Sequence, residues 1–169
     1  MKILIAVDGS PYTKAAARYV VRHRESFANP LEIHLLRVQP PIPYPGAAAV
    51  AGKAAVEGYQ RDESRAALAP AEKELAKAGV ACTSAWRVGD VAQTIEKYAR
   101  EQDIDLVISG SHGHGALANL AMGSVSTKLV ATLSVPLLII TRGAAARADR
   151  KPGEGHGDAA GQCEAVATP

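Results

Sequence analysis

The chain has 169 residues, 47% of them apolar but only 4% aromatic, and 19 Lys and Arg face 17 Asp and Glu for a formal charge of +2. That length suits one domain able to bury a sizeable core, filled here by Ala, Val, Leu and Ile. The near balance of charge, with no basic run interleaved with aromatics, argues against nucleic-acid binding and against a basic membrane-surface helix, and no stretch approaches the ~18 apolar residues of a membrane span.

The opening run Lys2 to Val7 (KILIAV) is nearly all aliphatic, which predicts a central parallel strand buried on both faces. It is too short for a secretory signal and meets Asp8 at once, so a cytoplasmic protein is expected. Asp8-Gly9 ends the strand, Ser10 offers an N-cap, and Pro11 suits the first helical position. Ala15, Ala16, Tyr19, Val20 and His23 keep helical spacing, predicting a helix to about Phe27. After the Asn29-Pro30 turn signal, Leu31 to Val38 reads as strand two, with His34 a neutral histidine on a strand face.

Gln39 to Gly52 holds four prolines and is read as an extended connection, either a lid over the end of strand two or an exposed linker. Lys53 to Lys77 is helical in pattern and stops at Gly79, while Pro70 predicts a kink or two helices meeting near Ala69. Val80 to Val88 reads as strand three, Gly89-Asp90 as a turn, and Val91 to Gln102 as a helix.

The next stretch, Leu106 to Val125 (LVISGSHGHGALANLAMGSV), organises the rest. A short apolar strand runs into a glycine-rich turn, where Gly110 and Gly113 allow close backbone approach. Gly123-Ser124 then opens a helix whose apolar face is expected to be Val125, Leu129, Val130 and Leu133. Unpaired amides and the positive helix end would meet an anion there, so this is a candidate phosphate cradle, with the Ser124 hydroxyl as a further donor. Ser134-Val135-Pro136 breaks the chain, and Leu137 to Thr141 is strand five. Residues 1–142 form one domain in this reading, and 143–169 a mobile tail rich in Gly, Ala and charge. Cys82 and Cys163, far apart, are assigned no role.

Strands alternating with helices predict an α/β fold, a doubly wound parallel sheet with helices on both faces and a ligand crevice where the winding reverses. The spacing Gly110, two residues, Gly113, nine residues, Gly123-Ser124 resembles the nucleotide-binding branch of the universal stress protein family. The resemblance runs from MKILIAVDGS at the start to SVPLLIITR near Arg142. It implies a Rossmann-like five-stranded sheet of order 3-2-1-4-5 and a stress-response protein that binds ATP or AMP, with Mg²⁺ bridging the phosphates and at most slow hydrolysis. It further implies that Gly110, Ser111, His112, Gly113, Gly123, Ser124 and Val125 hold the phosphates, that Asp8 accepts from ribose hydroxyls, and that the Val38 backbone meets adenine. A homodimer through residues 137–141, which would otherwise expose an apolar edge, is expected on the same ground.

Rival motifs are weaker. Gly113-His114-Gly115 through Ala118 fits a loose dinucleotide fingerprint, but it follows the fourth strand and lacks the later acidic residue. Ser126-Thr127-Lys128 has P-loop residues in the wrong order, so the lysine and water-positioning group of a fast hydrolase are not encoded. His112 and His114 can be read as a metal pair, or with Ser109, Ser111 and Asp8 as a hydrolase constellation, yet no G-x-S-x-G elbow surrounds either serine. A receiver domain would need an acidic pair beside Asp8. A stress-protein interaction module without nucleotide, and a true ATP hydrolase, stay as the alternatives in function.

Overall fold

A computed structural model describes residues 1–41, 52–113 and 122–148. Five parallel strands form one sheet: β1 (Lys2–Val7), β2 (Glu32–Gln39), β3 (Cys82–Val88), β4 (Leu106–Gly110) and β5 (Leu137–Ile140), in the spatial order β3-β2-β1-β4-β5. The helices are α1 (Pro11–Arg22), α2 (Lys53–Lys77), α3 (Val91–Glu101), α4 (Ser124–Thr132) and α5 (Arg142–Ala148). The fold is thus the doubly wound α/β arrangement that the sequence implied, and none of the described helices is long and apolar enough to cross a membrane.

β1 lies at the centre because its residues are apolar on both faces: Ile3, Leu4 and Ile5 are wholly buried, and Ile5 is paired with Leu35 on one side and Ile108 on the other. Ile3, Ile5, Ile33 and Leu35 share a core with α1 and α2, where Ala15, Ala16, Ala17 and Ala71 let the helices approach closely. Leu4, Leu36, Val38 and Val107 share a second core with Ile95 and Tyr98 of α3 and Leu129 of α4. Burial of Leu129 anchors α4 on the sheet, which positions its first turn at the carboxyl edge.

Four expectations change. α2 runs through Pro70 as one helix and not as two meeting near Ala69, because Ala67, Leu68, Ala71 and Leu75 hold both halves on the core while Ala66, whose carbonyl the proline leaves without an intrahelical donor, is exposed. It ends as read at Gly79, which has φ +68°, with Gly79 N–H donating to Ala76 O and Val80 N–H to Leu75 O. α1 stops at Arg22 and a 3₁₀ turn follows at Arg24–Ser26, short of Phe27. Val130 is 62% exposed, so the buried stripe of α4 runs through Ser126 and Leu129.

The fourth difference concerns the tail. Residues 142–148 form α5, whose Ala145 and Ala148 pack on the α1 core. Arg18 of α1 fastens its end, donating from Nη1 to Ala148 O at 3.2 Å while its Nε meets Glu74 of α2 at 2.9 Å. An alanine-rich run needs no wide apolar stripe to dock, which is why periodicity missed it. The remaining tail with Cys163, and residues 42–51 of the proline-rich connection, lie outside the described residues. Cys82 is half-buried, and burial raises its thiol pKa.

Candidate functional site

The chain winds outward from β1 through β2 to β3, then returns to β4 and β5, so its crossovers part at β1 and β4. A cavity of about 570 Å³ opens at the carboxyl ends of these strands, within the range of small-molecule sites. Eight of the nine candidate residues line it: Asp8 after β1, Val38 in β2, Gly110, His112 and Gly113 at and after β4, and Gly123, Ser124 and Val125 at the start of α4.

The ninth, Ser111, is buried and ties the loop together instead. Its amide donates to Ile140 O at 2.9 Å, its carbonyl accepts from Gly123 N–H at 2.7 Å, and its hydroxyl lies 3.0 Å from His112 Nδ1. His112 also approaches Tyr12, with ring centroids 6.2 Å apart.

The glycines do something other than leave room for a ligand. A Cβ on Gly110 would lie 2.6 Å from Tyr12 Cβ, so its absence admits α1. A Cβ on Gly113 would lie 2.8 Å from Asp8 Oδ2, so its absence lets the β4 loop close against the end of β1. Asp8 itself is half engaged: Oδ1 accepts from Ser10 N–H and Thr13 Oγ1, each at 2.9 Å, and Oδ2 faces the Gly113 turn.

Gly123 caps α4 with extended geometry (φ −72°, ψ 159°) and no side-chain hydrogen bond. Its own amide is taken by Ser111, and the first helical bond runs from Thr127 N–H to Gly123 O at 3.0 Å. The amides of Ser124, Val125 and Ser126 therefore have no i−4 acceptor and stand at the positive end of the helix beside the cavity. Such a helix start attracts anions.

Two polar residues of the cavity, Ser126 and Arg37, were not among the nine candidates. Ser126 is buried, and its hydroxyl donates to Gly110 O at 2.7 Å, fixing α4 to the end of β4. A serine amid the apolar stripe of a helix was the available signal. Arg37 lines the cavity from β2, and its Nε is buried without a protein hydrogen-bond partner. Its signal was a charge inside an otherwise aliphatic run. Leu36, Val91 and Ile95 supply apolar wall.

Directly before the cavity-lining Val91, Asp90 caps α3 by accepting from Gln93 N–H at 3.1 Å, and its Oδ2 meets Lys128 Nζ of α4 at 3.2 Å. The Gln93 amide, then Lys128, hold the Asp90 carboxyl below its usual pKa. His34 takes no part in the cavity lining. Its Nδ1 lies 3.0 Å from the Tyr98 hydroxyl, and burial lowers its pKa. Among the described residues no three His, Cys, Asp or Glu side chains are grouped to hold a metal, and His114 lies outside them.

Comparison with known proteins agrees with this architecture. The pattern of the universal stress protein family matches residues 1–141. A universal stress protein of Thermus aquaticus is 32% identical over 144 residues, covering 82% of this chain and 96% of its own. Universal stress protein Slr1230 of Synechocystis is 28% identical over 137 residues, but the match spans only 41% of that longer protein. Among solved structures, MJ0577 superposes with a TM-score of 0.70 at 24% identity, covering 83% of this chain and 95% of that one. A family member from Arabidopsis thaliana with AMP bound gives 0.61 at 21% identity, covering 84% and 92%. The likeness in structure shows the fold, and the sequence matches show the kinship: the chain belongs to the universal stress protein family.

Proposed function

We propose that the chain binds adenine nucleotide, ATP foremost, in the cavity between β1 and β4, and that occupancy alters its association with a regulatory partner during stress. The observation that carries this reading is the uncapped start of α4 beside the cavity, with the Ser124, Val125 and Ser126 amides lacking intrahelical acceptors. Phosphates would accept from those amides and from the Gly113 turn. Asp8 Oδ2 would accept from ribose hydroxyls, and adenine would lie at the end of β2, against the Val38 backbone and the Val91 and Ile95 wall. The AMP bound to the Arabidopsis relative is in keeping with that ligand class.

Mg²⁺, when present, would neutralise and bridge phosphate oxygens, with few protein ligands of its own. Turnover is at most slow in this reading, because no P-loop lysine is present and Asp8 already has one oxygen engaged. β5 is an edge strand with Leu137, Leu138 and Ile139 only half-buried, and we assign it to a two-fold homodimer contact.

The test is direct. Purified protein is denatured and the supernatant run on ion exchange, and the emptied, refolded chain is titrated with ATP by calorimetry. Released adenine nucleotide or saturable one-to-one binding is expected. Neither nucleotide nor measurable heat would overturn the reading and leave an interaction module without ligand. Sedimentation at micromolar concentration should give a dimer; a monomer would refute the β5 contact.

A further inference from the structure

We propose that Lys128 is the residue that distinguishes a triphosphate from a monophosphate, exchanging between Asp90 and the outer phosphates of the bound nucleotide; this rests on reading the cavity as a nucleotide site. Lys128 stands one helical turn after Ser124 on α4, about 6 Å along the axis. Side chains on a helix lean toward its N-terminus, so the lysine runs back along α4 toward the open first turn.

Asp90 shows where the ammonium ends. It is the N-cap of α3, it directly precedes the cavity-lining Val91, and Lys128 Nζ lies 3.2 Å from its Oδ2. Neither side chain lines the cavity, but the ammonium is held against the residue that precedes the lining Val91 and one turn along α4 from the lining Ser124, which puts the pair just outside the cavity, at its rim. Both partners are open to solvent, Lys128 at 61% and Asp90 at 40%, so water and salt screen the pair and it adds little to stability. Little opposes its replacement.

A monophosphate seated on the Ser124 to Ser126 amides would satisfy the helix start and leave the rim pair intact. A triphosphate extending past those amides would bring several more negative oxygens to the rim, where the Asp90 carboxylate repels them and the Lys128 ammonium attracts them. Rotation of the lysine from a single-charge carboxylate to a more highly charged phosphate removes the first effect's neutraliser but gains the stronger partner. Asp90 and Lys128 thus act in opposite senses on the same ligand.

That opposition gives the test. The full chain and its K128M and D90N variants are titrated with ATP and with AMP by calorimetry, with circular dichroism on each; asparagine keeps the N-cap of α3. K128M should weaken ATP about tenfold and AMP less than about twofold, whereas D90N should tighten ATP about threefold. An ion pair with only a structural role would make both variants shift ATP affinity the same way, and that result overturns the inference. Unchanged ATP binding by K128M, with the parent protein binding normally, also overturns it alone. Absence of ATP binding by the parent protein would instead remove the nucleotide reading, and this inference with it.

Discussion

Two helices begin at the same edge of the sheet, on the same face, and they begin differently. α3 is closed by Asp90, whose side chain takes the Gln93 amide. α4 starts at Gly123, which offers no side chain, and its first amides are left beside the cavity. A closed start is a structural element complete in itself. An open start at a buried crevice lacks an acceptor, and an anionic ligand can supply one.

The comparison can be broken most severely at the anchor of the open helix. Leu129 is fully buried and Val130, its neighbour, is 62% exposed. Leu129→Ala should cost about 2–5 kcal/mol in urea unfolding and loosen ligand binding as well, while Val130→Ala should stay within about 0.5 kcal/mol. Equal effects would mean that α4 is not held as described.

Closing the open start is the next test. Gly123→Asp would give α4 the cap that α3 has; its backbone geometry suits any residue, and the added Cβ meets Ser111 O at a tight 3.3 Å. ATP affinity should fall about a hundredfold, from charge repulsion and loss of the amides, in a protein that remains folded by circular dichroism. Opening the closed start is milder. Asp90→Ala should lower Tm by about 2–4 °C, read by thermal unfolding.

The smallest expected effect lies beneath α3, where His34 of β2 meets Tyr98. Burial lowers the His34 pKa, opposed by Glu32 and assisted by Lys2. A histidine depressed in the folded state binds its proton more readily when unfolded, so this contribution to stability is complete above the ordinary value of 6.5 and falls as pH drops from there toward the folded-state pKa. His34→Leu should flatten that part of the stability-against-pH curve; an unchanged slope would deny the buried neutral ring.

Much of this was legible in the residues. Aliphatic runs placed all five strands, and the family resemblance that the glycine spacing carries implied the strand order that puts Asp8, Gly113 and Ser124 on one cavity. What escaped depends on tertiary context. Pro70 is tolerated because contacts on both sides of it hold α2 to the core, and α5 is held by Arg18, 124 residues before it. Likewise, that Gly110 makes way for Tyr12 and Gly113 for Asp8 follows from α1 and the end of β1 meeting the end of β4, which spacing along the chain does not encode.

The most direct test of the open helix start is a titration of the isotopically labelled protein with ATP, followed by amide NMR. The Ser124, Val125 and Ser126 amides should shift together and saturably, while Gln93, already bonded to Asp90, should move little. Binding that leaves those three amides unmoved would contradict the account.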